Sequence, residues 1–122
     1  MGVAWHGHYL AWFELGRTEL MRNLGCPYGH LEDERNVRFP VIEVGARYRS
    51  PARYDERLRV DTRLVHVGHA RVRFDYEVAR ESDGKVLASG FSEHASVDAA
   101  GRPVRLPRDI SLALNRGGGS DE

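Results

Sequence analysis

The sequence predicts a single α+β domain in which an antiparallel sheet wraps around one long helix. Three observations lead to this prediction. Apolar residues recur at spacings of three and four near the start of the chain, which is the period of a helix. Four later segments alternate with a period of two, which is typical of strands. Tight-turn signals separate these segments, so neighbouring strands are expected to pair antiparallel.

The first element is a helix that we expect from His8 to Leu24. Its apolar stripe covers more than one face, so we expect the sheet to enclose the helix; the stripe contains Tyr9, Leu10, Trp12, Phe13, Leu20, Met21 and Leu24. Gly25 favours a left-handed stop, and Pro27 cannot continue the helix. The polar segment from Gly29 to Arg38 predicts an irregular connection.

The four strands are expected at about 40–49, 57–66, 71–78 and 86–97. In the first strand the residues predicted to face inward are Ile42, Val44, Ala46 and Tyr48. The third strand alternates most regularly and places Val72, Phe74, Tyr76 and Val78 inward. Small residues on one face of the fourth strand indicate that the helix approaches closely there: Ala88, Gly90 and Ser92.

A turn at Asp83-Gly84 predicts a hairpin between the third and fourth strands. A short helix is expected after Pro107, as far as Leu114. The domain is therefore predicted to span residues 1–116, with a flexible tail at 117–122 that is rich in glycine.

Composition excludes several classes of function. The 18 Lys and Arg residues balance the 18 Asp and Glu residues, which argues against binding of nucleic acid. No apolar run approaches the roughly 18 residues of a membrane span, and the first residues lack the pattern of a secretory signal. The single cysteine, Cys26, cannot form a disulfide within the chain. We expect a cytoplasmic protein.

Residues 2–10 read Gly-Val-Ala-Trp-His-Gly-His-Tyr-Leu, and further segments of the same kind follow over most of the chain, at residues 13–17, 48–55, 88–91 and 105–107. In these segments the sequence resembles the 4-hydroxybenzoyl-CoA-thioesterase-like branch of the hotdog acyl-CoA thioesterases. The resemblance implies a hotdog fold, a homodimer or homotetramer, and hydrolysis of an acyl-CoA thioester without a metal or redox cofactor.

The chain departs from this branch at its start. The catalytic Asp of the branch stands three residues before the glycine that corresponds to Gly2, and that position would precede Met1. The first strand of the family is also missing from the sequence. We expect either an upstream start that restores this Asp or a natural loss of the usual base.

The resemblance assigns catalytic roles to the predicted helix. Its oxyanion donor is a backbone N–H that corresponds to His6, with Gly7 beside it for close approach of the substrate. Glu14 is the candidate base, because a second hotdog branch carries a helix glutamate at this spacing and a threonine at the place of Thr18. The alternative is that Glu14 pairs with Arg17 one turn away and only orients the helix.

Substrate-binding residues are expected both in an acyl pocket and in a basic rim for the phosphates of CoA. Tyr9 would line the acyl pocket, although it is equally suited to the core. His69 and Arg71 align with basic residues that contact the nucleotide end of CoA in the family. Arg49 and Arg53 are further candidates, and the alternative for each arginine is a solvated strand face.

Other chemistries are disfavoured by spacing. The histidines lack metal-ligand spacing, so no metal is expected. Cys26 follows a helix C-terminus, which disfavours its thiolate, and no serine lies in a recognisable nucleophile motif. The sequence therefore predicts an acyl-CoA thioesterase. Two rivals are a non-catalytic acyl-CoA-binding protein and a hotdog dehydratase, for which Leu20 stands where a carboxylate is required.

Overall fold

The structure is a computed structural model that describes residues 6–53 and 55–117, with side chains at 9–53 and 55–116. Three helices and four strands follow one another as α1 His6–Asn23, α2 Tyr28–Glu34, β1 Val41–Tyr48, β2 Leu58–Val67, β3 Arg71–Arg80, β4 Val86–Ala95 and α3 Arg108–Gly117. The predicted α+β class is confirmed. Among the helices in these ranges, none is both long enough and apolar enough to cross a bilayer.

The four strands form one antiparallel sheet in the order β1-β4-β3-β2. The hairpin between β3 and β4 turns at Gly84, whose φ of 74° requires the freedom of glycine. The strand β1 pairs with β4 and not with β2, the next strand in the chain. In the described residues β1 and β2 therefore form the two edges of the sheet. The four strands were predicted within about two residues of their observed bounds.

Helix α1 packs across the sheet at β2 and β3. The Phe13 ring stacks on the Tyr76 ring with a centroid distance of 4.5 Å. A Cβ atom on Gly90 would lie only 2.6 Å from the same phenylalanine ring, so this glycine makes room for the helix. The close approach predicted from the small residues of the fourth strand is confirmed.

The end of α1 is a Schellman motif. The Cys26 N–H donates to the Met21 carbonyl at 2.9 Å, and the Gly25 N–H donates to the Arg22 carbonyl at 3.0 Å. Gly25 takes the predicted left-handed conformation with a φ of 81°. Cys26 and Met21 are both buried, which adds the apolar contact that commonly accompanies this motif.

The segment from Gly29 to Arg38 was wrongly predicted to be irregular throughout. It contains most of α2, which packs on α1 and buries Leu31 completely. One apolar residue does not produce a periodic pattern, so this segment carries no helical signal of its own.

The inward face predicted for the first strand is also wrong for this chain. Val41, Ile42, Val44 and Tyr48 remain between 39% and 47% exposed. The reason is that α1 covers β2 and β3 and leaves β1 at an open edge of the sheet. The helix is correspondingly open on one side, where Leu10 is 43% exposed and Leu15 is 64% exposed.

Helix α3 confirms the short helix predicted after Pro107 and continues to Gly117. It buries Ile110 and Leu114, and its Asp109 accepts two hydrogen bonds from Arg35, the residue that follows α2, at 2.8 and 2.9 Å. This pairing lowers the pKa of Asp109 to about 2. The first strand of the family, which we expect to be missing from this sequence, would precede Met1, and residues 118–122 of the expected tail lie outside the described residues.

Candidate active site

The start of α1 supplies the candidate oxyanion donor. His6 is the first residue of the helix, so its backbone N–H belongs to the turn whose amides have no acceptor within the helix. These amides and the helix dipole favour negative charge, and no acidic side chain stands in this turn. The side chains of His6 and Gly7 lie outside the described residues.

Tyr9 lies in the core rather than on an open pocket wall. Its ring is 2% exposed and packs edge-on against Trp12 and Tyr48, at centroid distances of 4.9 and 5.0 Å. Burial raises the pKa of its hydroxyl, which accepts a hydrogen bond from the Ala52 N–H. Tyr9 thus packs in the core of this chain, and its place in an acyl pocket stays a prediction.

Glu14 and Thr18 line one cavity of about 570 Å³ on the open side of α1. The cavity also receives Phe39 and Pro40 from the segment before β1, and Val97 from the segment after β4. The structure thus brings together the two helix residues proposed for water activation. Glu14 is exposed although it stands within an otherwise apolar stretch of the sequence, and neighbouring Leu15 is exposed as well.

The alternative role for Glu14, an ion pair with Arg17, does not form between these described residues. The Arg17 guanidinium turns toward the sheet, and its Nη1 lies 3.4 Å from the Tyr76 hydroxyl. Glu14 therefore keeps a carboxylate that is not neutralised by the arginine one turn away.

A buried polar chain continues from Tyr76 into the sheet. The Tyr76 hydroxyl lies 2.5 Å from Ser92 Oγ, and Ser92 Oγ lies 2.7 Å from His94 Nε2. His94 Nδ1 lies 2.9 Å from the Phe39 carbonyl oxygen. Sequence reasoning missed this chain, although polar Ser92 and His94 at alternate positions of an inward strand face were a signal that something must satisfy them.

The basic residues divide between two ends of the sheet. His69 contacts Arg105, and the two line a cavity of about 500 Å³ together with Arg108. Sequence reasoning did not connect Arg105 or Arg108 with His69, since they are more than thirty residues apart in the chain.

Arg71 is 63% exposed and lies 4.0 Å from Glu93. Arg49 follows the other end of β1, and the pairing of β1 and β3 with β4 separates these arginines by eight residues of strand, or about 26 Å. The predicted basic residues therefore do not form one cluster within a single chain. Arg53 is exposed, and its backbone N–H donates to Glu56 at 3.0 Å.

A larger concavity of about 830 Å³ is lined mainly by charged residues of the sheet, such as Arg63, Arg73 and Asp75. It contains none of the predicted site residues. Within the residues that the structure describes, no group of three or more His, Cys, Asp or Glu side chains is arranged to hold a metal ion.

Comparison with known proteins decides the family. The model of the thioesterase superfamily matches residues 1–87. The chain belongs to the thioesterase superfamily. This membership confirms the resemblance inferred from the sequence, and it makes the protein a thioester hydrolase with the hotdog fold.

Individual relatives of this thioesterase match over most of its length. It is 30% identical over 115 residues to the acyl-CoA thioesterase YbgC of Haemophilus influenzae, which covers 93% of this chain and 83% of that protein. The hypothetical protein TT1821 of Thermus thermophilus is 38% identical, with a TM-score of 0.87 over 96% of this chain and 88% of that one. The DHNA-CoA thioesterase of Staphylococcus aureus is 28% identical, with a TM-score of 0.86 over 95% and 79% of the two chains.

Proposed function

We propose that this thioesterase hydrolyses an acyl-CoA thioester to the free acid and CoA, without a metal or redox cofactor. The observation that supports the substrate class is that relatives matching most of the chain are named acyl-CoA thioesterase and DHNA-CoA thioesterase. The single cysteine is buried and unpaired, which is consistent with action in the reducing cytoplasm.

The proposed reaction uses the head and the middle of α1. The His6 N–H donates to the thioester oxygen and stabilises the negative charge that develops on it; one such donor is worth about 2.7–4 kcal/mol. Glu14 accepts a proton from water, which attacks the carbonyl carbon, while the Thr18 hydroxyl orients that water. The C–S bond then breaks, and the proton passes to the CoA sulfur.

One chain alone cannot place both groups on the same carbonyl. His6 and Glu14 are eight residues apart, which corresponds to about 12 Å along the helix axis. A donor and a base that serve one reaction must each lie within about 3 Å of the reacting atoms. We therefore propose that two copies meet with their α1 helices antiparallel, so that His6 of one copy lies near Glu14 of the second.

The open edge at β1 supports this assembly. Its apolar residues are only half covered, and so are Leu10 and Leu15 on the open side of α1. An edge strand presents unpaired backbone groups to a second strand, and exposed apolar side chains on that strand favour such a contact. A homodimer, or a homotetramer built from it, would cover both surfaces.

The nucleotide end of CoA is assigned to the basic cavity at the hairpin between β2 and β3. His69, Arg105 and Arg108 line it, and Arg71 follows on β3. Arginine presents a planar set of donors that fits phosphate oxygens. In the proposed dimer, Arg49 and Arg53 lie at the end of the molecule where α1 begins and serve as a second basic group.

The base assignment predicts that Glu14→Gln lowers kcat/KM by about 10²- to 10⁴-fold, because a general base contributes that range. Release of CoA from acetyl-CoA, palmitoyl-CoA and benzoyl-CoA is followed with a thiol-reactive dye. The matched control is Glu32→Gln, which removes another carboxylate from the wall of the same cavity.

Each outcome of this assay is decisive. If the wild-type protein binds CoA but releases no thiol from any of the three thioesters, the non-catalytic binding protein replaces our proposal. If Glu14→Gln is as active as Glu32→Gln, the hydrolase uses another base.

A further inference from the structure

A pair of residues on α1 provides the starting point for the inference. Glu19 and Arg22 stand three residues apart, and they form an ion pair at 3.0 and 3.2 Å. Glu14 and Arg17 have the same order and spacing on the same helix, yet Arg17 turns to Tyr76 instead. Opposite charges three residues apart on a helix attract each other, so another contact must hold the Arg17 guanidinium away from Glu14.

The buried chain from Tyr76 to His94 explains this direction. Tyr76, Ser92 and His94 are 3%, 1% and 0% exposed, so their polar atoms depend on one another. The Phe39 carbonyl can only accept, so His94 Nδ1 carries the hydrogen. Burial lowers the pKa of His94 and keeps the ring neutral, which leaves Nε2 as an acceptor.

The remaining hydrogens then have one arrangement. Ser92 donates to His94 Nε2, and Tyr76 donates to Ser92 Oγ. The lone pairs of the Tyr76 oxygen are left to accept, and Arg17 is a group that only donates. The neutral histidine in the sheet thus determines that the tyrosine presents an acceptor to the helix.

We propose that Tyr76, Ser92 and His94 are positioning residues that hold the Arg17 guanidinium on the sheet side of α1 and keep the Glu14 carboxylate free for proton transfer. This inference rests on the proposed function, in which Glu14 is the base. It assigns a role in the reaction to residues of β3 and β4 that do not touch the substrate.

The other charged groups of the cavity do not replace Arg17. The cavity that receives Glu14 is also lined by Arg17 itself and by Glu32, Arg38 and Asp98. Arg38 donates to the Asn36 side chain, and Asp98 accepts from Arg102 and from backbone N–H groups. Glu32 is exposed and carries the same charge as Glu14. The Arg17 charge also acts on the Tyr28 hydroxyl on the same wall, and Tyr28 carries no charge of its own to replace it. Arg17 is therefore the cation that loss of the Tyr76 hydroxyl would make available to Glu14.

The first experiment measures coupling between Glu14 and Arg17 from stability alone. Urea denaturation is recorded for Glu14→Gln, Arg17→Gln and the double variant, in the wild-type and in the Tyr76→Phe background. Phenylalanine keeps the ring that stacks on Phe13 and removes only the hydroxyl. The control cycle uses Glu19→Gln and Arg22→Gln in the wild-type background.

We expect no coupling between Glu14 and Arg17 in the wild type, and a coupling of about two- to fivefold in the unfolding equilibrium constant with Tyr76→Phe, as for an exposed ion pair. The Glu19–Arg22 cycle should show a similar factor without any change at Tyr76. Equal Glu14–Arg17 coupling in both backgrounds overturns the inference. If Tyr76→Phe does not fold, a wild-type Glu14–Arg17 coupling as large as the Glu19–Arg22 coupling overturns it equally.

The second experiment measures kcat/KM with the acyl-CoA that the wild type hydrolyses fastest. Tyr76→Phe is expected to lower kcat/KM about two- to fivefold in the wild-type background, and less than twofold when Arg17→Gln is already present. A structural defect would not depend on Arg17, so equal losses in both backgrounds overturn the positioning role. Failure of Glu14→Gln to lower activity would instead overturn the base assignment and leave the coupling experiment valid.

Discussion

His94 is a titratable side chain without accessible surface. Its burial lowers its pKa below the ordinary value of 6.5, the nearby Arg17 charge acts in the same direction, and the hydrogen bond to the Phe39 carbonyl opposes both. A protonated His94 would place a second donor opposite Ser92, and the hydrogens of the chain could no longer all find acceptors. The folded protein is therefore more stable with His94 neutral than with His94 protonated.

This environment predicts a loss of stability in mild acid. Because the folded pKa of His94 lies below the unfolded one, its contribution is complete above about pH 6.5 and decreases as the pH falls below that value. One proton limits the slope to about 1.4 kcal/mol per pH unit. The pH dependence of the free energy of unfolding is measured by urea denaturation of the wild type and of His94→Gln between pH 7 and pH 5.

The difference between these two proteins isolates His94, since the other histidines are common to both. We expect the free energy of unfolding to decrease more steeply toward pH 5 in the wild type. Parallel curves for the two proteins would contradict the assignment. The carboxylates with lowered pKa values, such as Asp109, lose their contribution only at lower pH.

At the scale of elements, the distance between α1 and the sheet depends on glycine. A side chain at Gly90 would meet the Phe13 ring and the Gly45 carbonyl oxygen, and one at Gly16 would meet Thr62. Gly90 thus leaves room for the Phe13 ring of α1, and Gly16 lets α1 approach Thr62 of β2. The interface is close-packed for this reason.

Gly90→Ala is expected to lower the free energy of unfolding by about 1–3 kcal/mol, because the added methyl group overpacks the contact with Phe13. Gly29→Ala is the matched control. Gly29 lies in α2, and a Cβ atom added there would have nothing within 4 Å, so alanine should stabilise the protein by about 0.5–1 kcal/mol. Equal effects of the two substitutions in urea denaturation would contradict this view of the interface.

At the scale of the whole molecule, the open side of α1 and the edge strand β1 predict self-association. Ile42→Glu places a charge on the half-exposed face of β1 and should shift the protein to a monomer of 13.8 kDa, while the wild type has a multiple of that mass. Light scattering measures both. Leu112→Glu is the control, because Leu112 is also half-exposed but lies on α3.

A wild-type monomer would contradict the proposed assembly. So would a mass that falls equally with both substitutions. In the expected case, Ile42→Glu also loses activity, since His6 and Glu14 then no longer meet across two chains.

The elements that were predicted correctly have strong local signals. Regular alternation located β3, and Gly25 marked the end of α1. The errors came from contacts between distant parts of the chain. The segment around Leu31 forms a helix that packs on α1 and buries Leu31, and β1 remains half exposed because α1 covers mainly β2 and β3. The position of Arg17 depends on Tyr76, 59 residues away, which no spacing along α1 could reveal.

The buried cysteine at the end of α1 simplifies the chemistry of detection. Cys26 is 4% exposed, and burial raises the pKa of its thiol, so a folded chain offers almost no reactive sulfhydryl of its own. Colour formed by a thiol-reactive dye therefore counts product molecules rather than enzyme molecules. Denaturation exposes one equivalent per chain, so the same dye also titrates how much of a preparation is folded.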